Sequence, residues 1–225
     1  GEAYCKIQTF AESYWHRYDW FGWTLFLHSI PGSCKNQAGH FHEDLTSFVL
    51  FRYGKEVFVD PGRRSYSASD VVARFQKSSI GHNSLMLNGV GPGLMPNQQR
   101  YPEFYRDSDV SVTHEINDKL LFVELRHTGF SRAFSSVGSH LRKFSISKNS
   151  IEIFDEIEGS KSAVVDSFFH LSPFADVKKD TQSNNNKINF SLCERNYEFE
   201  SININSKSNK MDFKINLSEL CKKFF

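Results

Sequence analysis

The chain has 225 residues and a formal net charge of +1, with 24% charged residues. That near-balance excludes a nucleic-acid or polyanion footprint spread over the whole surface, although a local basic cleft is compatible with it. No apolar run approaches the ~18 residues of a transmembrane helix, and the N-terminus lacks the shape of a signal peptide. The 22 Phe residues suit an aromatic β core. The cysteines, Cys5, Cys34, Cys193 and Cys221, show no paired C-x-x-C spacing and so do not form a zinc ribbon.

In chain order, residues 13–30 are aromatic, with Tyr14, Trp15, Tyr18, Trp20, Phe21, Trp23 and Phe26. Trp23 to Ser29 reads as a strand, and the rings read as core filling rather than a sugar-stacking platform. Pro31 to Gly39 is a loop by composition. It delivers the chain to Gly39-His40-Phe41-His42-Glu43-Asp44. If that stretch is extended, His40, His42 and Asp44 share one face. Leu45 to Arg52 follows as a buried strand.

Glu56 to Asp60 is a short strand stopped by Pro61-Gly62, which holds Asp60 at a strand end. Residues 61–80 read as a long connection carrying Arg63, Arg64, Arg74, Lys77 and Tyr66. Such a loop is either simply solvated or a basic rim for carboxylates and sulfates, which Arg pairs in bidentate fashion. Gly81-His82-Asn83 precedes the short strand Ser84 to Asn88. The set His42, Asp60, His82 suits zinc, with water or a further side chain as fourth ligand. His-x-His spacing alone is equally that of surface or hydrogen-bonded histidines. Gly89 to Asn97 is Gly/Pro-rich and reads as a turn region or flap.

Short strand signals then recur at Ser111–Ile116, Leu120–Arg126, Leu141–Ile146, Ile151–Ile157 and Ala163–Phe169. Asn117-Asp118 and Lys148-Asn149 break them. Further strands are expected at Lys187–Leu192, Tyr197–Asn203 and Met211–Asn216, and Ser218–Phe225 as helical or frayed. This spacing predicts an all-β fold over residues 1–225, an antiparallel β-sandwich with little helix. His114, His127, His140 and His170 lack metal-type spacing and read as ordinary hydrogen-bonded or surface residues.

The run Gly39 to Phe48, then Val59-Asp60-Pro61-Gly62, Tyr66, Arg74 and Gly81-His82-Asn83, resembles the C-terminal β-sandwich of the heparinase II/III-like proteins. These are lyases of uronic-acid polysaccharides, glycosaminoglycan and alginate among them. The resemblance runs from Gln8 to Pro173 and includes Phe168 to Pro173. It implies a supersandwich-like fold, a structural zinc on His42, Asp60 and His82, and His40 facing the substrate cleft. Tyr66 is a candidate catalytic contributor from the sandwich side, and Arg64 and Arg74 are candidate substrate contacts. The family's other catalytic residues come from an N-terminal α/α toroid, which this chain does not contain. The expectation is therefore the C-terminal domain of a lyase for an acidic polysaccharide, inactive by itself, in a periplasmic or secreted setting. Neither a nucleic-acid partner nor a membrane span is expected. The alternative is a zinc-clamped carbohydrate-binding or structural module without chemistry. A zinc hydrolase is disfavoured because no His-Glu-x-x-His occurs.

Overall fold

The computed structural model describes residues 5–30, 42–67, 69–92, 109–159, 162–174, 177–184, 187–192, 200–207 and 211–219. The chain opens with strands β1 (Cys5–Phe10), β2 (Trp15–Trp20), β3 (Trp23–His28), β4 (Phe48–Arg52), β5 (Lys55–Phe58) and β6 (Leu85–Leu87). A second series is β7 (Val110–Ile116), β8 (Leu121–His127), β9 (Val137–Ile146) and β10 (Ser150–Gly159). Strands β11 (Ala163–Leu171), β12 (Val177–Asn184), β13 (Lys187–Leu192), β14 (Glu200–Lys207) and β15 (Met211–Glu219) complete it.

One sheet has the order β1-β2-β3-β4-β5-β11-β15, with β6 also on β11; the other runs β12-β13-β14-β10-β9-β8-β7. The pairings are antiparallel except that β14 joins β10, and β15 joins β11, in parallel. Alternation explains the stacking. In β3 the residues Trp23, Leu25 and Leu27 are buried while Thr24, Phe26 and His28 are less so. The buried set meets Leu121, Val123, Leu125, Phe144, Ile146, Ile151 and Ile153 of the opposite sheet in one core. Phe48 sits at its centre, with ring centroids 5.0 Å from Phe144 and 5.4 Å from Phe58. The all-β sandwich expected from the strand spacing is what the chain adopts.

The hairpins β2–β3 and β4–β5 use two-residue turns, Phe21-Gly22 and Tyr53-Gly54, with φ of 45° and 83°, and 47° and 76°. Two successive positive φ values match the twist of the flanking strands. At Gly22 the φ of 83° disfavours any side chain, and a Cβ would lie 2.3 Å from the Tyr53 ring.

Several expectations are corrected. The stretch from Leu45 is not strand until Phe48; residues 42–47 form an irregular turn, closed by Ser47 N–H donating to Asp44 O at 2.8 Å. The connection after Pro61 is not all loop: it contains helix α1 (Val71–Lys77), capped by Asp70, whose side chain accepts from the amides of Val72 and Ala73. Ser218 and Glu219 extend β15 instead of starting a helix. No described helix is long and apolar enough to cross a membrane.

The core also contains charge. Arg142 and Asp155 are cross-strand partners on β9 and β10, both wholly buried. Arg142 Nε and Nη2 donate to the two Asp155 oxygens at 2.7 and 2.8 Å. Behind them runs a chain of imidazoles. Gly129 N–H donates to His127 Nδ1 at 3.0 Å. That leaves the His127 proton on Nε2, 3.0 Å from His140 Nδ1, and the His140 proton on Nε2, 2.8 Å from Asp155. Both rings are thereby neutral; burial, only partly offset by Asp155, lowers the His140 pKa. Burial pushes the Asp155 pKa up, but Arg142 and the hydrogen bonds outweigh it and hold the carboxyl well below its usual range.

Asp155→Ala should lower the unfolding free energy in urea by about 3–5 kcal/mol, because it strands a buried guanidinium. The double variant Arg142→Met/Asp155→Leu should recover part of that loss. A depressed folded pKa stabilises above the unfolded value and ceases to as pH falls through the folded one. The stability gap between wild type and Asp155→Asn should thus be constant above pH ~4 and shrink below it. A gap that widens in acid would contradict the assignment.

Candidate active-site cluster

Strands β5 and β6 both lie against β11, β5 through Phe58 at Leu171 and β6 through Leu85 at Ser167. The chain between them leaves the sheet after Val59 and returns at Asn83. Asp60 and His82 therefore stand at the two feet of one excursion. Asn83 closes it. Its amide nitrogen donates to Phe48 O at 2.8 Å and Val59 O at 3.0 Å, and its Oδ1 accepts from His170 N–H at 2.7 Å. One side chain thus ties β4, the end of β5 and β11 together. His170 Nε2 lies 2.8 Å from Ile80 O and secures the turn before it. Gly81 is required because a Cβ there would come 2.4 Å from Phe75 O of α1.

Arg142 reaches the same loops from the opposite sheet. Its Nη1 donates to Thr46 O at 2.9 Å and, in a short contact, to the carbonyl of Asn83. Thr46 is β-branched yet has φ +69°, a strained conformation for such a residue. Glu43 fastens the remaining side: Ser79 N–H and Oγ–H donate to its Oε2 at 3.2 and 3.3 Å. Burial raises the Glu43 pKa, opposed by the Ser79 hydrogen bonds.

Within this frame His42, Asp60 and His82 come together. Nδ1 of His82 lies 2.6 Å from Asp60 Oδ2, and the His82 and His42 ring centroids are 5.2 Å apart. The His82 Nε2 is buried without a hydrogen-bond partner. Gly62 N–H donates to Asp60 Oδ1 at 2.9 Å. Burial, then the neighbouring His82, bring the His42 pKa down to about 4, so this ring is neutral at pH 7. Burial disfavours charge on His82 and Asp60 too, but each favours the ionised partner: His82 is raised and Asp60 lowered. Asp44 extends the cluster, its Oδ2 lying 3.5 Å from His28 Nδ1.

Among the described residues no group of three or more His, Cys, Asp or Glu stands ready to hold a metal ion. In the neutral form of His82, the hydrogen bond from Nδ1 to Asp60 fixes the tautomer and leaves the lone pair on Nε2. Two imidazoles and a carboxylate are donor types that zinc accepts, although the orphaned Nε2 of His82 lies on the side of the ring away from Asp60.

The other sequence-derived residues are distributed differently. Tyr66 is 69% exposed, with the Arg63 guanidinium 3.9 Å over its ring. Arg64 Nε is paired with Asp70 Oδ2 at 3.0 Å. Arg74 lies on the exposed face of α1. Arg63 and Lys77 are the cations felt electrostatically here: burial, then Arg63, lower the Lys77 pKa, and Arg63 also acts on His42. His40 lies outside the described residues. Sequence reasoning missed Asn83, Arg142 and the Asp44–His28 contact.

Residues 6–214 match the family model described as heparinase II/III-like, C-terminal. Among solved structures, the chain is similar to a heparan sulfate lyase HepC mutant from Pedobacter heparinus, at 13% identity and a TM-score of 0.50. That match covers 84% of this chain and 24% of the other. It is also similar to a heparinase III gene product, at 14% identity and a TM-score of 0.52, covering 81% of this chain and 26% of that one. At such identities the likeness shows the fold, and this chain spans about a quarter of each of those proteins. A comparison with curated proteins returned no match.

Asn83→Ala removes a donor and an acceptor that serve three backbone groups. It should cost about 2–4 kcal/mol in urea unfolding. A loss under about 0.5 kcal/mol would show that the clamp contributes nothing.

Proposed function

Because the chain belongs to the heparinase II/III-like, C-terminal family, we propose that it is the sandwich domain of a lyase that cleaves a uronic-acid polysaccharide by β-elimination. The observation that supports this best is the cluster His42–His82–Asp60 at the loop end of the sandwich, with Arg63 near enough to act on His42. The domain partner is an α/α toroid elsewhere in the protein, which supplies the other catalytic groups. Glycosaminoglycans and alginate are the candidate polymers.

β-Elimination removes the proton at C5 of the uronate, stabilises charge on its carboxyl group and protonates the departing O4. His40 takes the role of the cleft-facing imidazole on the sandwich side. Tyr66, accessible and with the Arg63 guanidinium over its ring, is the candidate on the sandwich side for passing a proton to the leaving oxygen. Arg63, Arg64 and Arg74 form a basic rim that orients carboxylate or sulfate groups.

The residues that would hold zinc are His42, Asp60 and His82. The metal would supply folding energy and fix the loops, as structural zinc does. Neutral His42 is suited to donating a lone pair.

Protein purified without chelator should contain about one zinc per chain, and His42→Ala should lose it together with several degrees of melting temperature. No stoichiometric metal in the wild type would contradict the zinc assignment. In the full-length protein, assayed by absorbance of the unsaturated product, His40→Ala should lower the rate by about two to four orders of magnitude. It should retain metal and melting temperature. A His40→Ala protein that loses metal as His42→Ala does would make His40 a ligand and favour a structural module.

A further inference from the structure

The first sheet has an inner face in the core and an outer face turned away from the second sheet. On the outer face Phe10, Trp15 and His28 are consecutive cross-strand partners, Phe10 opposite Trp15 and Trp15 opposite His28. Directly opposed residues point the same way, so three rings form one row across β1, β2 and β3. Phe10 is 45% and Trp15 38% exposed, whereas Trp20 and Trp23 are buried in the core. The Trp15 and His28 rings stack at 4.8 Å with planes 27° apart. His28 in turn lies 3.5 Å from Asp44, two residues from His42. The row therefore leads without a break from the sheet edge into the His42 cluster.

The next row along the strands is mixed. Arg17 is opposite Gln8 and Phe26, its guanidinium 5.5 Å from the Phe26 centroid, and it pairs with Asp19 at 2.9 and 3.1 Å. Thr24 Oγ–H donates to the same Asp19 at 2.7 Å. Half-exposed rings interleaved with satisfied polar groups suit a ligand with apolar faces and polar edges. They suit a protein partner less, since the core of a protein interface is depleted of charge.

We propose that Trp15, backed by His28 and Asp44, is a stacking platform for one pyranose ring of an acidic polysaccharide that runs along the outer face of this sheet toward His42. The C–H face of the sugar covers the indole, and its hydroxyls reach the polar row of Arg17 and Asp19. His28 holds the indole flat on one side, and Asp44 holds His28, so the platform is ordered before the sugar arrives. This inference rests on the polysaccharide reading given above. It adds a binding subsite remote from the reacting bond, where binding energy serves to position substrate.

The test uses the full-length protein with two probes, a heparan sulfate tetrasaccharide and an alginate tetrasaccharide. The emission of Trp15 is obtained as wild type minus Trp15→Phe and is followed during titration, while calorimetry gives affinities. The expected result is a shifted Trp15 emission at saturation with at least one probe. Affinity for that probe should fall roughly three- to tenfold in Trp15→Ala and by less than twofold in Trp15→Phe. An unshifted Trp15 emission at saturation overturns the platform whatever the variants do, and leaves the lyase reading standing. Equal affinity of wild type and a folded Trp15→Ala protein has the same consequence. If neither tetrasaccharide nor any other uronic-acid oligomer binds the wild type, both the platform and the lyase reading fall.

Discussion

The guanidinium of Arg142 is the constraint on which the arrangement depends. It projects from the second sheet into a core of Phe48, Phe144 and Phe169, where an unpaired charge would cost several kcal/mol. Its hydrogens are therefore directed to fixed acceptors: two on Asp155, one at Thr46 and one at Asn83. The last two belong to the loops carrying His42 and His82. A charge that must be satisfied thereby fixes the distance between two strand ends of the other sheet. The positive φ of Thr46 is the local strain this arrangement maintains.

Around that anchor the polar groups divide into those that hold the loops and the two imidazoles among them. Asn83, Glu43, Ser79 and Arg142 hydrogen-bond mainly to backbone and to one another, and are saturated apart from one Glu43 oxygen. His42 and His82 differ: one ring is kept neutral by burial and the other has an unpartnered buried nitrogen. Groups left short of partners inside a rigid frame are where ligands bind, because the cost of desolvation has already been met by the fold. The Trp15–His28 stack is linked to the cluster through Asp44.

Much of this was legible in the sequence. Alternation in residues 23–28, 121–127 and 150–157 marks strands because one face of each is buried. Punctuation by Pro61-Gly62 and Gly81 placed Asp60 and His82 at strand ends; that His42 joins them rested on the family resemblance, because residues 42–47 are an irregular turn and not the mouth of a strand. Helix α1 was obscured by its charged surroundings, although Asp70 before Val71-Val72 is a capping signal. Arg142 and Asp155 were visible and unread. The inward positions of β10 are Ile151, Ile153, Asp155 and Ile157, and those of β9 include Arg142, Phe144 and Ile146. Opposite charges at core positions of adjacent strands predict a buried pair once the register is known. That it reaches Thr46 and Asn83 could not be read, because contact across a sandwich depends on how the sheets are stacked. The parallel additions of β14 and β15 were hidden for the same reason.

The central claim is that the site loops are held from the opposite sheet through Arg142. Amide hydrogen exchange on Arg142→Met, compared with wild type under conditions where both are folded, tests it most directly. The account predicts that protection falls selectively in residues 43–47 and 79–84 while β3 and β8 keep theirs. Unchanged exchange in those loops, or an even loss across both sheets, would contradict it.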